Sequence, residues 1–230
     1  MKRRIVPMGG GGWAMEPRNP RLDRWLLSLT GKPRPRVLFV PTASGDSVRS
    51  IRRFHHAFAR HQCEHEHLAL FNRTVADLRS FVLGHDLIYV HGGNTANLLA
   101  VWRVHGLDVI LREAWESGIV LCGLSAGAIC WFESGVTDSF GIELQPLDGA
   151  LGFLPGSFCP HYDGEAQRRP AYQRLVGAGR LPAGYAADDG VGLLFEDTAL
   201  VDVVSSRKHA RGYRVTPGAE EPLVTRWLPK

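Results

Sequence analysis

The stretch IVLCGLSAGAICWF, residues 119–132, leads from an apolar run directly into a serine held between small residues. The run before Ser125 is typical of a buried strand, and a short helical stretch follows the serine. Gly123-x-Ser125-x-Gly127 in this setting is the nucleophile-elbow pattern, in which a sharp strand-to-helix turn exposes the serine hydroxyl. The turn strains the serine backbone, so the residues two positions away have to be small. The stretch therefore predicts an α/β fold with a reactive serine at a strand end.

Apolar runs and amphipathic stretches alternate along the first half of the chain. The predicted strands are residues 4–8, 36–44, 64–71, 86–94 and 119–124. The predicted helices are residues 19–31, 46–61, 75–84, 95–106 and 107–118. This alternation favours a doubly wound, mostly parallel sheet flanked by helices on both faces. Because sites in such sheets lie beyond the carboxyl ends of the strands, we expect the glycines at 9–12, 92–93 and 123–127 to line one edge.

The pattern changes after residue 133, where Gly, Pro and Asp become frequent and the apolar runs shorten. Segments 190–206 and 212–215 indicate an antiparallel ending to the sheet. No linker marks a boundary between two domains. We therefore expect residues 1–230 to form a single α/β domain, in which 44% hydrophobic residues supply a core of ordinary size.

Composition and charge limit the kinds of partner that the chain can bind. The net charge is +4, the basic residues are scattered, and no long Lys/Arg block interleaves with aromatic residues. This distribution does not favour nucleic acid. The start of the sequence lacks the apolar core of a signal peptide, and no apolar run approaches the roughly 20 residues that span a bilayer. We expect a cytoplasmic protein that binds neither nucleic acid nor membrane.

The cysteines, the clustered histidines and the glycine run each offer groups for other chemistry. The four cysteines form no CxxC pair and three lie within apolar sequence, which favours buried free thiols in a reducing compartment. His65 and His67 would share one face of a strand, but no carboxylate is spaced to complete a ligand set. The run at 9–12 matches neither a dinucleotide fingerprint nor a P-loop, and it indicates a flexible loop near the site. We expect no metal and no cofactor.

A reactive serine requires a general base and an acid that orients the base. His161, in FCPHYDG, follows an apolar run and a proline, and this loop position past a strand end makes it the candidate base. His91 closes a strand beside two glycines and is expected to line the site. The candidate acids lie downstream and are Asp138, Glu143, Asp163, Asp188 and Asp189. The adjacent pair at 188–189 is costly to bury without partners; this favours a role for one of them, with a solvated acidic turn as the alternative.

Three segments together resemble one family of serine peptidases. YVHGGNTANLL, CGLSAGAICWF and CPHYDG are similar to segments of peptidase E, the aspartyl dipeptidase family. The similarity runs from residue 36 to residue 206, and a two-helix segment separates the GGNT and G-x-SAGA motifs as in the family. The resemblance implies a doubly wound α/β sheet related to the class I glutamine-amidotransferase domains.

The resemblance also implies roles for individual residues. Ser125 corresponds to the nucleophile and His161 to its base. The third member maps either to Asp189, in a DDG turn at a predicted strand end, or to Asp138 soon after the elbow. We prefer Asp189, and Asp188 stays open because aspartate would replace the family's longer glutamate. The amides of Gly93 and Ala126 correspond to the family's oxyanion hole. Asn94 corresponds to the residue that braces the oxyanion-hole loop.

Members of the family cleave a dipeptide or short peptide after an N-terminal aspartate. Such a substrate needs a cation for its side-chain carboxylate, and the arginines that follow the candidate base are Arg168, Arg169 and Arg174. The resemblance thus implies acyl transfer from the peptide to the serine and then to water, without a cofactor. We expect a small peptide as the partner, and a homo-oligomer is compatible with the sequence.

Two other functions fit the same residues. One is a different acyl hydrolase, such as an esterase or a peptidase with another N-terminal preference, which a substrate panel would separate. The other is a non-catalytic binding module on the same scaffold. The intact G-x-S-x-G motif and His161 argue against such a module, and labelling by a fluorophosphonate would distinguish the two cases.

Overall fold

A computed structural model describes residues 2–229 of the protein. The strands are β1 Arg4–Met8, β2 Arg36–Val40, β3 Glu64–His67, β4 Leu87–Val90, β5 Val120–Leu124, β6 Phe132–Thr137, β7 Gln145–Asp148, β8 Leu154–Cys159, β9 Gly184–Ala187, β10 Val191–Glu196, β11 Ala199–Ser205, β12 Gly212–Thr216, β13 Ala219–Pro222 and β14 Arg226–Trp227. The helices are α1 Gly12–Met15, α2 Arg21–Ser28, α3 Val48–Phe58, α4 Leu78–Leu83, α5 Thr95–His105, α6 Leu107–Glu116, α7 Ala126–Ile129 and α8 Arg168–Gly177.

The main sheet has eight strands in the order β14-β11-β10-β1-β5-β4-β2-β3. The strands β1 to β5 pair with one another in parallel, as the alternation of strands and helices predicted. Met8 pairs with Leu124, and Val90 pairs with Gly123, so β1, β4 and β5 end at the same edge. The glycine motifs after these three strands therefore line one edge, which confirms the expectation from the sequence.

Helices cover both faces of the main sheet because alternate residues of a strand point to opposite sides. Ile88 and Leu121 pack in one apolar cluster, together with side chains of α5 and α6. Their neighbours Tyr89 and Cys122 pack in a second cluster, together with side chains of α2 and α3. All four residues of β4 are buried, as expected for a strand covered on both faces. This arrangement confirms the doubly wound sheet.

The chain after the elbow contributes a second sheet, which the sequence did not predict. Its six strands lie in the order β13-β12-β9-β8-β6-β7, with parallel and antiparallel pairs. The predicted antiparallel ending is confirmed, but its strands belong to two different sheets. Strands β10 and β11 pair antiparallel beside β1 in the main sheet. Strand β12 instead pairs antiparallel with β9 in the second sheet.

Smaller differences from the sequence prediction concern the ends of elements. The helix predicted at 19–31 covers Arg21–Ser28, and the strand predicted at 64–71 ends at His67. The four cysteines are buried and free, as expected. Within the described part of the chain, no helix combines the length and the apolar character that crossing a membrane requires.

Candidate active site

The turn after β5 holds Ser125 in a strained backbone conformation. Its φ is 55° and its ψ is −119°, a region that residues other than glycine rarely adopt. Close backbone packing explains the small flanking residues. A Cβ on Gly127 would lie 2.5 Å from the Val90 carbonyl oxygen, and a Cβ on Gly123 would collide with the Gly127 carbonyl. The elbow therefore requires glycine at both positions, and it leaves Ser125 half-buried at the end of the strand.

Two backbone N–H groups near Ser125 have no acceptor among the described residues. Ala126 is the first residue of α7, so its N–H has no partner within that helix. The Gly92–Gly93 turn approaches from β4, since a Cβ on Gly92 would lie 3.0 Å from Ser125 Cβ. Gly93 is exposed, and its N–H forms no hydrogen bond within residues 2–229. Both N–H groups therefore lack an acceptor within residues 2–229.

A short hydrogen bond joins His161 to Asp189. The distance from His161 Nδ1 to Asp189 Oδ1 is 2.7 Å, and both side chains are mostly buried. Burial opposes ionisation of Asp189, but the hydrogen bond and charge of His161, with Arg207 nearby, outweigh it and hold the pKa below its usual value. Asp163 Oδ1 accepts the Asp189 N–H at 2.7 Å. The carboxylate is thus ionised at neutral pH, and it favours the imidazole tautomer with a proton on Nδ1.

The segment 8–10, at the end of β1, contacts Ser125, His161 and Asp189. The Ser125 N–H donates to the Met8 carbonyl at 3.3 Å, and the His161 N–H donates to the Gly9 carbonyl at 3.2 Å. The third residue, Gly10, forms a parallel bridge with Asp189. In the described part of the chain no hydrogen bond joins the Ser125 hydroxyl to the imidazole. Such bonds commonly tighten only when substrate binds.

The glycine run at 9–12 is buried, which corrects the expectation of a flexible loop. A Cβ on Gly10 would collide with Asp189 Oδ1 and would lie 3.0 Å from His161 Cε1. The run therefore forms a closely packed floor under the imidazole and the carboxylate. The sequence placed these glycines near the site, at the edge shared with the other glycine motifs, but it did not indicate their close packing against Asp189 and His161. Arg207 is a part of the site that the sequence did not identify.

The other candidate acids contact different partners. Asp188 accepts a backbone N–H from the segment before β12 at 2.9 Å, and burial raises its pKa to about 6 against the effect of that hydrogen bond. Asp138 is exposed and pairs with Arg168 at 3.5 Å. Adjacent residues of an extended chain point to opposite sides, which separates Asp188 from Asp189. Of these three carboxylates, Asp189 is the one that contacts His161.

Two of the arginines expected to bind substrate are engaged elsewhere. Arg168 is only 2% exposed, and its guanidinium donates to the Val136 carbonyl at 3.1 Å and to Glu165 at 2.6 Å. Arg169 pairs with Glu220 of β13. The expectation of a substrate contact is corrected for Arg168, because α8 buries its guanidinium against a second sheet that the sequence did not predict. Arg169 keeps 47% of its side chain exposed, and a substrate contact at this residue stays a prediction.

Asn94 has a protein partner at each end of its amide. Its Oδ1 accepts the Asn97 N–H at 2.8 Å and caps α5, while its Nδ2 donates to the Ser139 carbonyl at 3.0 Å. These bonds brace the Gly92–Gly93 turn and do not leave the side chain free for substrate. Arg174 lies in the last turn of α8 and is exposed.

His91 lies beside the same turn, as expected. Its Nδ1 contacts the Gly92 carbonyl at 2.7 Å, and burial lowers its pKa. Over residues 2–229, no group of three or more histidines, cysteines and carboxylates is arranged to hold a metal ion.

Comparison with known proteins identifies the family. The model of peptidase family S51 matches residues 5–203, from β1 into β11. The chain belongs to peptidase family S51. Over 230 residues it is 54% identical to the uncharacterized peptidase YgaJ of Bacillus subtilis (strain 168), with 98% of this chain and 99% of that protein covered. It is 38% identical over 88 residues to peptidase E of Shewanella amazonensis, which covers 38% of this chain and 37% of that protein.

A solved structure shows the same fold. The crystal structure of a peptidase from an acI-B1 actinobacterium superposes with a TM-score of 0.70 at 22% identity, covering 98% of this chain and 95% of that one. Membership of family S51 makes the chain a serine peptidase. It also confirms the resemblance to peptidase E that the sequence motifs indicated.

Proposed function

We propose that this S51 peptidase hydrolyses short peptides through an acyl-enzyme on Ser125. In this proposal His161 is the general base and Asp189 orients it. The observation that carries the proposal is the 2.7 Å hydrogen bond between His161 Nδ1 and Asp189, which lies at the strand edge where the elbow presents Ser125. A serine, an imidazole and a buried carboxylate form the arrangement that activates a hydroxyl as a nucleophile.

The acyl group is transferred twice. Ser125 Oγ attacks the peptide carbonyl while His161 Nε2 takes the hydroxyl proton. The N–H groups of Gly93 and Ala126 stabilise the oxyanion; one such donor is typically worth about 3 kcal/mol of the barrier. His161 then protonates the leaving amine as the C–N bond breaks. In the second transfer, His161 removes a proton from water, the water oxygen attacks the ester, and the proton returns to Ser125.

We infer that the substrates are dipeptides or short peptides with a preference for an N-terminal aspartate. The support is the resemblance to peptidase E along most of the chain, together with family membership. Arg168 has no part in this preference, since its guanidinium is buried within the protein, whereas Arg169, with 47% of its side chain exposed, stays the candidate cation.

A panel of Xaa-Leu dipeptides, short esters and a fluorophosphonate probe tests the proposal. We expect Asp-Leu to give the highest kcat/KM, and Ser125→Ala to lose nearly all turnover and all labelling. Ser28→Ala, at an exposed serine of α2, is the matched control and should keep both. Turnover of esters alone would identify an esterase, and wild-type protein that is not labelled would favour a binding module.

A further inference from the structure

A cleft distinct from the peptidase site opens beside α2 and α3. Its volume is about 570 Å³. Five arginines line it, and we term it the arginine cleft; they are Arg18, Arg24, Arg52, Arg53 and Arg60. Ser125, His161 and Asp189 are not among the lining residues.

The protein does not neutralise the positive charge of the arginine cleft. None of its five arginines forms an ion pair within residues 2–229. The segment 47–63, which includes α3, contains no Asp or Glu. Arg53 donates to the Ala14 carbonyl at 2.7 Å, and Arg60 contacts the ring of His56 at 2.8 Å; both partners are uncharged or basic. Like charges gathered in one cleft repel one another, and an anion between them would remove that repulsion.

The wall of the cleft also contains buried polar atoms without a partner. Trp13 and Asp23 both line the cleft and are 3% and 2% exposed. Trp13 Nε1 and Asp23 Oδ1 form no hydrogen bond to the described residues. A Cβ on Gly12 would lie 2.9 Å from Asp23 Oδ1 and 3.1 Å from the buried Tyr89 hydroxyl, so Asp23 Oδ1 lies behind the wall of the cleft. The unpaired arginines of the cleft therefore define the class of ligand.

Asp23 is compatible with a bound anion. Burial raises the pKa of its carboxyl to about 7, a backbone hydrogen bond at Trp13 acts in the opposite direction, and Glu16 adds to the increase. Below that pH the carboxyl is neutral and can donate a hydrogen bond. Below that pH the one carboxyl group in the lining therefore does not cancel the charge of the arginines.

We propose that the arginine cleft binds a small molecule that carries two or more phosphate groups, such as a nucleoside diphosphate. Guanidinium groups form bidentate hydrogen bonds with phosphate oxygens. Five guanidinium groups offer more N–H donors than a single carboxylate can accept, which favours a ligand with several phosphate oxygens. Trp13, Pro17 and Ala57 provide an apolar wall for the rest of the molecule. The volume is that of a small-molecule site. This proposal does not depend on the peptidase mechanism.

Calorimetric titration of the full chain in a slightly acidic, phosphate-free buffer tests the proposal. The probes are inorganic pyrophosphate, adenosine diphosphate, citrate and a single-stranded RNA. We expect wild-type protein to bind pyrophosphate and the nucleotide with a Kd below about 1 mM, and citrate much more weakly. The double variant Arg24→Gln/Arg52→Gln should weaken phosphate binding by about tenfold or more, through the loss of two charged donors. Arg49→Gln, at an exposed arginine of α3 outside the cleft, is the matched control and should bind as the wild type does.

Three results would overturn the proposal. Equal loss in the double variant and in Arg49→Gln would assign binding to the general surface charge. Citrate binding as tight as that of pyrophosphate would replace phosphates by carboxylates as the ligand chemistry. Binding of single-stranded RNA without binding of either phosphate probe would assign the arginines to a macromolecular surface. Because Arg24 and Arg52 are both exposed, each single variant also serves if the double variant does not fold.

Discussion

Gly10 lies where the end of β1 meets the imidazole of His161 and the carboxylate of Asp189. A methyl group at Gly10 would collide with Asp189 Oδ1, so Gly10→Ala should separate the acid from the base that it orients. We expect kcat to fall by about 100-fold or more, as measured by dipeptide hydrolysis. Gly177→Ala is the matched control, because no atom lies within 4 Å of a Cβ at that position. Activity of Gly10→Ala at the level of this control would contradict the assigned geometry.

Substitution of Asp189 and substitution of Asp138 should have different effects on kcat. Asn at 189 no longer holds the imidazole with its proton on Nδ1, so Asp189→Asn should lower kcat by about 10³–10⁴-fold. Asp138→Asn should stay within a few-fold of wild type, because Asp138 contacts Arg168 and not the imidazole. Steady-state kinetics on the preferred dipeptide measure both. The reverse ranking would transfer the orienting role to Asp138.

At the scale of single residues, the sequence predicts most firmly the side chains that lie within recognisable local motifs. Ser125 follows a buried strand inside a glycine-flanked turn, and His161 follows an apolar run and a proline. The sequence did not decide which acid orients His161, because spacing does not show which way each carboxylate points at the turn before β10. Arg168 follows His161 closely in sequence, yet α8 begins at this residue and buries it. Proximity along the chain was therefore a poor guide to proximity in space.

At the scale of elements, the sequence predicted the strands whose residues are uniformly apolar. Strands β4 and β5 are wholly buried, and their composition alone indicates a parallel sheet. The second sheet was missed because its strands mix apolar, polar and exposed residues. Ser157 of β8, for example, is fully buried and forms a hydrogen bond of 2.7 Å with Tyr172. A serine inside a strand core weakens the apolar pattern on which the prediction depends.

Helix α2 carries a carboxyl group whose burial makes stability depend on pH. Burial raises the pKa of Asp23 from 3.8 to about 7, so between these values the folded protein retains a proton that the unfolded chain releases. The free energy of unfolding therefore falls as the pH rises through this window, by about 1.4 kcal/mol for each pH unit, or about 4 kcal/mol over the window. Asp23→Asn should lack this dependence.

Urea unfolding at several pH values in phosphate-free buffer measures the effect of Asp23. The difference in unfolding free energy between Asp23→Asn and wild type should shift in favour of the variant from pH 4 to pH 7 and then stay constant. Asp148→Asn, at an exposed carboxylate of β7, should follow the wild-type curve. A constant difference across the whole range would show that Asp23 does not titrate as proposed.

At the scale of the whole molecule, the two sheets share one apolar cluster. Phe132 of β6 stacks on Phe158 of β8 with ring centroids 5.1 Å apart, and it packs edge-on against Phe195 of β10 at 5.9 Å. Ile5 of β1 belongs to the same cluster. We propose that residues 1–230 form a single domain, because this cluster contains buried residues of both sheets and so joins them through one shared apolar core.

Phe132→Ala tests this proposal, since it removes a fully buried ring that contacts strands of both sheets. The lost burial and the cavity should cost about 3–5 kcal/mol of unfolding free energy. If the chain is one cooperative unit, hydrogen exchange should accelerate by the same factor at the slowest amides of β4, in the main sheet, and of β8, in the second sheet. Phe140→Ala, at an exposed phenylalanine, should change neither. Acceleration confined to the second sheet would show that the two sheets unfold separately and would divide the chain into two domains.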